Sequence, residues 1–217
     1  MPQPKLGADW TVYQDEHLLI VNKPAGLLAV PGRGADKQDC LISRVQATLP
    51  QALVVHRLDQ ATSGLVMFAL SPALQKKLST LFQDRHIHKN YIATVQGQLQ
   101  PDTGTVNLPL MADWPQRPRQ KVDREAGKPS ETRWQVQAYD SVNDTTLVTL
   151  HPVTGRTHQL RVHMLALGHP IAGDTLYGET SSALRMALHA QSLAFTHPVT
   201  GEWLEVCCEP GLVHDTA

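Results

Sequence analysis

The order of segments predicts an α+β chain built on a mixed, mainly antiparallel β-sheet with helices and loops around it. Three observations carry this reading. Short β-rich runs outnumber helical ones, strands and helices do not alternate in βαβ fashion, and "ETRWQVQAY" adjoins "TTLVTLHPV" across a polar turn at Asn143 and Asp144.

In chain order, "WTVYQD" reads as an extended start, and "HLLIVNKPAGLLAV" as β-rich runs broken at Pro24 and Gly26. The Gly, Pro and Asp content of "VPGRGADKQD" (30–39) marks a loop, and "CLISRVQATL" reads as a helix that stops before Pro50. "VVHRL" and "GLVMFAL" read as two strands flanking a turn at Asp59. "SPALQKKLSTLFQDR" is a helix with Ser71 as N-cap and Pro72 in its first turn, and Leu74, Leu78, Leu81 and Phe82 form its core stripe. "KNYIATVQG" is a strand with a glycine end, and residues 100–130 read as long, Pro-rich and irregular. A helix is expected from Thr157 to Gly168 with Pro170 just beyond, and strands near 187–195 and 203–208 close the chain.

At 217 residues, 41% hydrophobic and 18% charged, the chain reads as an ordinary globular protein with a sizeable core. No apolar run approaches membrane-spanning length, and no h-region opens the chain, so neither a signal peptide nor a membrane partner is expected. Cys40, Cys207 and Cys208 show neither C-x-x-C spacing nor a disulfide framework, which suits a reducing cytoplasm. The net charge of −1 hides an asymmetry: residues 1–133 carry 16 Lys/Arg against 12 Asp/Glu, residues 134–217 only 3 against 8. That pattern fits either ordinary surface variation or a basic, RNA-facing side.

Asp59 lies in "HRLDQATSG", two residues after Arg57 and just before the turn-prone Thr62, Ser63 and Gly64. An Asp in a turn often only bonds its own backbone. A neighbouring guanidinium would instead keep it ionised, as a nucleophile or weak base. In "TGRTHQLRVH", Thr157 is a plausible N-cap, with His158, Arg161 and Leu165 along one helical face. Arg161 would then stand near the positive end of the helix dipole, ready for a phosphate or carboxylate, although a solvated amphipathic face explains the pattern as well. Tyr91 could be an edge-of-core residue or a platform for a flat ring. "QRPRQKVDREAGK" (116–128) reads as a solvated loop or as an arm gripping phosphates. His151, His158, His163 and His169 lack metal-ligand spacing. Kinase, serine-hydrolase and glycosidase readings each lack a required part: a Gly-rich loop, a G-x-S-x-G, and a second acid paired with Asp59.

Taken together, "HRLDQATSGLVMFAL", "KNYIATVQG" and "PVTGRTHQLRVHM…GHPIAGDTLYG" resemble the RluA family of pseudouridine synthases, from "DEHLLIVNKPAGLL" to the last strand. The resemblance implies the pseudouridine synthase catalytic fold as a single domain over 1–217, with a core of about 10–210. Related members usually carry an S4-type RNA-binding domain first, and here the catalytic pattern begins near residue 10, so none is expected. "VPGR", "DWPQRPRQKV" and "GKPSET" further resemble the dual-specificity branch of the family. That branch implies a uridine of 23S rRNA (position 746) and one in the tRNA anticodon loop (position 32).

The reaction the resemblance implies breaks the N1–C1′ bond of uridine and rejoins C5 to C1′, with no cofactor and no metal. Asp59 corresponds to the family's catalytic aspartate, acting on C1′, on C6 or on a sugar proton. Arg161 corresponds to the arginine paired with it, and Tyr91 to the tyrosine that stacks on the flipped base. Arg57 corresponds to the arginine that enters the RNA stack, with His56, Thr62, Arg156 and His158 beside it as RNA-binding residues. Arg117, Arg119, Lys121 and Lys128 are the candidates for a basic face. The partners so implied are 23S rRNA and tRNA stem-loops; no DNA partner is expected, and a monomeric chain is the default expectation. A non-catalytic RNA-binding protein of the same fold is the alternative.

Overall fold

The computed structural model describes residues 7, 10–178, 183 and 185–210. The termini of the expected domain, 1–6 and 211–217, lie outside the described residues. Contacts group the chain into two compact units, Met1–Lys89 with Ala190–Ala217, and Asn90–His189.

In the first unit, β1 (Thr11–Gln14), β2 (Leu18–Lys23), β4 (Ser63–Ala69) and β11 (Leu188–Thr196) lie side by side in that order. β3 (Leu53–Val54) adds to β4, and β12 (Trp203–Cys207) to β11. β1–β2, β2–β4, β3–β4 and β11–β12 are antiparallel. Leu18 to Val21 are all fully buried, which explains an unbroken apolar run where a half-exposed strand would alternate. Helix α1 (Leu41–Gln46) is shorter than its sequence suggested. Helix α2 (Pro72–Gln83) starts as expected: Ser71 Oγ accepts from Leu74 N–H at 3.3 Å, with Pro72 in the first turn. Its Leu74 and Leu78 join Leu18, Ile20, Leu65, Met67 and Phe195 in one apolar core, with Leu81 and Phe82 against its edge.

The stretch before Asp59 departs from expectation. Only Leu53 and Val54 pair as strand, and 55–59 is irregular. The reason is local: the His56 ring turns inward, and Nε2 accepts the Met67 N–H at 3.0 Å, a place that a backbone carbonyl would fill in a continued ladder.

In the second unit, β5 (His88–Gln96), β10 (Thr145–Pro152), β9 (Glu131–Asp140) and β6 (Thr103–Asn107) form successive antiparallel pairs. The β9–β10 hairpin across Asn143 and Asp144 is as the sequence predicts. Along β10, Thr146, Val148, Leu150 and Pro152 are buried while their neighbours are not, the period of a one-sided strand.

Residues 100–130 are not irregular throughout. They supply β6 and a two-stranded ribbon, β7 (Leu110–Ala112) with β8 (Gln120–Val122). Strands of three to five residues, interrupted by prolines, leave too little alternation to read from sequence. Gly104 admits the Trp134 indole: a Cβ there would lie 2.1 Å from the ring.

Helix α3 (Gln159–Ala166) starts two residues later than expected. His158, in the left-handed region at φ 54°, precedes it with no side-chain cap, so Thr157 is not the N-cap. The start is fixed from within instead. Gln159 Oε1 accepts from Arg156 N–H at 3.0 Å and from the Thr154 hydroxyl at 2.7 Å. The helix ends as predicted at Gly168 (φ 84°): Gly168 N–H donates to Leu165 O and His169 N–H to Met164 O, a Schellman closure.

Candidate active site

Asp59 and Arg57 belong to the first unit, Tyr91 and Arg161 to the second. In the first, Asp59 is half-buried at the start of a tight turn, and its carbonyl accepts the Thr62 N–H at 3.1 Å. Thr62, expected to face RNA, is buried. Gly64 follows at φ 112°, where a Cβ would fall 2.3 Å from Ala190 O, so only glycine admits β11 this closely.

Beneath the turn lies a residue that sequence reasoning missed. Lys23 is fully buried, and its ammonium donates to the carbonyls of Pro24 (2.9 Å), Leu27 (2.8 Å) and Gln60 (3.1 Å). It ties "NKPAGL" to the residue after Asp59, and Gly26 N–H and the Gln60 side chain bind the same two segments. Burial pushes the Lys23 ammonium down to about 7, and the Asp59 charge works against that fall. A lysine beside a proline in a β-rich run gives no local sign of such a role. The three-carbonyl cage is made by the fold.

His56, expected to face RNA, has its ring engaged within the chain. Its Nε2 is occupied by Met67 N–H, its ring lies against Phe82 (centroids 4.5 Å), and Nδ1 therefore carries the proton. Burial, followed by the positive charge of Lys89, pushes it down to about 3, so it stays neutral. Arg57, one residue on, is exposed.

In the second unit, Tyr91 is half-buried on β5, opposite Leu150 of β10. Arg161 on α3 is buried, not surface-lying, and Leu165, expected on its face, is exposed. The guanidinium makes a two-point pair with Asp174: Nε to Oδ2 at 2.6 Å and Nη2 to Oδ1 at 2.7 Å. Asp174 is fully buried and also accepts from Leu176 and Tyr177 N–H. Burial opposes its ionisation. The Arg161 hydrogen bonds and charge, with those two N–H groups, outweigh burial and hold the carboxyl below its ordinary value. The anion expected near Arg161 thus includes one from the chain itself, in "GDTLYG".

Tyr177 connects this pair to the β7–β8 ribbon. Its hydroxyl accepts the Gln120 N–H at 2.6 Å and lies 2.7 Å from His158 Nδ1, to which its own proton can be given. The ring lies beneath Arg161 and Arg119, 5.0 and 5.5 Å from their guanidinium carbons. Arg119, expected on a basic face, bonds inward instead: Nη1 donates to Gln116 Oε1 at 2.9 Å and Nη2 to the Leu176 carbonyl. Only a fold that brings 176 and 177 against the ribbon makes these partners available. His158 is likewise partly occupied by Tyr177, whereas Arg117, Lys121, Lys128 and Arg156 are exposed.

His163 closes a buried network beneath α3. Gln159 Nε2 donates to Thr132 Oγ1, that hydroxyl to His163 Nδ1, and His163 Nε2–H to Leu108 O at 3.0 Å. Burial lowers this histidine, against the opposing bond to Leu108, and keeps it neutral. The "TGRTHQLRVH" stretch therefore serves mainly to anchor the loop that carries Arg156 and the helix that carries Arg161. Among the described residues, no group of three or more His, Cys, Asp or Glu is placed to hold a metal.

The sheet is largely antiparallel with few helices, and a family model covers most of it. Residues 17–166 match the model described as RNA pseudouridylate synthase. The chain belongs to that family and is an RNA pseudouridine synthase. More particularly, it is 49% identical over 201 residues to the dual-specificity RNA pseudouridine synthase RluA of Yersinia pestis, covering 91% of this chain and 97% of that protein. It is 50% identical over 197 residues to the protein of that name from Escherichia coli K12, covering 88% and 90%. Among solved structures, human RNA Pseudouridylate Synthase Domain Containing 1 superposes with a TM-score of 0.76 at 31% identity, over 94% of this chain and 86% of that one. The expected fold class and family are thereby borne out.

Proposed function

We propose that this enzyme isomerises uridine in both ribosomal and transfer RNA stem-loops, with Asp59 as its catalytic carboxylate. The observation that carries the dual specificity is the likeness to two enzymes so described, over nine-tenths or more of their own lengths. The roles implied by the family motifs are assigned to the matching residues: Asp59 acts at C1′, at C6 or on a sugar proton, Arg161 aims it, and Tyr91 stacks on the target ring. In net terms the N1–C1′ bond breaks, a C5–C1′ bond forms, the C5 proton leaves and N1 gains one. That balance needs no redox partner and consumes no water.

The target must leave its stack to reach a turn-borne carboxylate, at a cost of a few kcal/mol that is smallest in loops. This favours stem-loops of 23S rRNA and the tRNA anticodon over duplex, and the 2′-hydroxyl tells RNA from DNA. Arg57 and Arg156, both exposed, are assigned to RNA, as are Arg117, Lys121 and Lys128. The same reading takes the two units as one catalytic domain, acting as a monomer in the cytoplasm. The cytoplasmic placing is supported by a cysteine spacing that offers no disulfide framework, and no helix among the described residues is long and apolar enough to cross a membrane.

The test is tritium release from C5-labelled stem-loops of both RNA classes, with wild type and Asp59→Asn. Release from both RNAs by wild type, and from neither by the variant, is expected, with RNA affinity retained. Release from one class only would refute dual specificity. Full activity of the variant would remove Asp59 from the chemistry, and binding without release would leave an RNA-binding protein.

A further inference from the structure

We propose that Trp114, backed by Arg117, is a stacking platform for an unpaired loop base other than the target uridine. The inference rests on the RNA-modifying reading above and names a further contact of that site's substrate. Trp114 sits in a short 3₁₀ turn (Trp114–Gln116) at the tip of the β7–β8 ribbon and is 62% exposed. The Arg117 guanidinium carbon lies 3.3 Å from the centre of its ring, so the cation covers one face and the other is left to solvent.

Exposing an indole this far forgoes the burial that usually decides its place. Here the rotamers of both side chains are held by the stack, which lowers the entropic cost of adding a third flat group. A nucleobase has the required shape and the adjoining phosphate the complementary charge, since Arg117 and Lys121 are both exposed nearby.

The tip is also firmly seated. Asp113 N–H donates to Arg119 O at 2.9 Å, and Arg119 N–H to Gln116 O at 2.9 Å. Arg119 and Gln120 are anchored on Leu176 and Tyr177, the neighbours of Asp174, Arg161's partner. A platform referenced in this way to Arg161 can select RNAs by where a second base is splayed. The other strongly exposed tryptophan among the described residues, Trp203 at 60%, faces His88 at 6.0 Å and has no guanidinium stacked on it, which makes it the control.

The experiment replaces each loop nucleotide except the target, one at a time, by an abasic residue. Affinity is then measured for wild type, Trp114→Ala, Trp114→Leu, Trp114→Phe and Trp203→Ala, with tritium release followed in the same samples. Stacking of one base is worth about 1–3 kcal/mol, so one abasic substitution should weaken wild-type binding by roughly 5- to 150-fold. Trp114→Ala and Trp114→Leu should show that loss with intact RNA and no further loss at that nucleotide. Trp114→Phe and Trp203→Ala should follow wild type. Intact-RNA affinity of Trp114→Ala equal to wild type, or losses that simply add at every nucleotide, would overturn the platform while wild-type release leaves the reaction standing. Absence of both binding and release in wild type would overturn the RNA reading, and the platform with it.

Discussion

Asp174→Asn tests whether the buried pair with Arg161 is a structural requirement of the site. Asp174 Oδ1 accepts from Arg161 Nη2, Leu176 N–H and Tyr177 N–H, and Oδ2 accepts from Arg161 Nε. The least damaging amide orientation keeps the Oδ1 contacts and turns its NH2 toward Nε, so a donor meets a donor. One charged hydrogen bond goes, worth about 1.5–3 kcal/mol. The guanidinium, in a side chain only 4% exposed, also loses the Asp174 charge, and breaking a buried pair in this way costs about 3–5 kcal/mol in all. For a chain of this size that lowers Tm by roughly 6–20 °C. The carboxyl is held below its ordinary 3.8, so its contribution is complete above about pH 4 and is lost as pH falls through the lower folded value. Denaturant midpoints of wild type and variant should therefore differ most at neutral pH and converge in acid. A loss under about 1 kcal/mol at neutral pH, the worth of a surface pair, would refute the reasoning. Arg161→Met with Asp174→Leu should recover much of the stability but none of the turnover.

Lys23→Met removes the donor shared by three partly buried carbonyls, at up to about 1–3 kcal/mol for each group, partly offset by relief of the ammonium's own burial. Between about pH 7 and 10.5 the unfolded chain keeps the Lys23 proton that the folded one sheds, so wild-type stability gains a rising component across that window. Equal pH slopes for variant and wild type in urea titrations would contradict this. Gly64→Ala should cost about 1–3 kcal/mol from backbone strain alone, and more from the approach to Ala190 O; a wild-type denaturation midpoint would show that β4 and β11 can part at no cost. Tyr177→Phe removes the hydroxyl that joins Gln120 N–H to His158, so KM for RNA should rise more than kcat falls. A kcat defect at unchanged KM would mean that seating the ribbon is not its role.

What was legible in the chain follows from the range of each signal. The Ser71–Pro72 start of α2, the Gly168 stop of α3 and the β9–β10 hairpin are decided within a few residues of themselves, and sequence reasoning placed them. β6, β7 and β8 were not legible, because their short strands owe their existence to partners rather than to alternation. The start of α3 was misplaced because Thr157 looks like a cap, while Gln159 makes the bonds to Thr154 and Arg156 that a cap would otherwise replace.

The sequence by itself determined the family, the acid-bearing turn and the identities of the arginine and tyrosine assigned to the chemistry, since spaced motifs survive in one dimension. Only the tertiary structure decided which polar groups are already engaged within the protein. Arg161 meets Asp174 across thirteen residues, Arg119 meets Leu176 across fifty-seven, and Lys23 meets Gln60 across thirty-seven. A charge or carbonyl removed from water must find a partner wherever the fold brings one, whatever the distance along the chain. Hydrogen bonds made by the fold therefore engage Lys23, His56 and Arg119 within the chain, while Arg57, Arg117 and Trp114 are exposed.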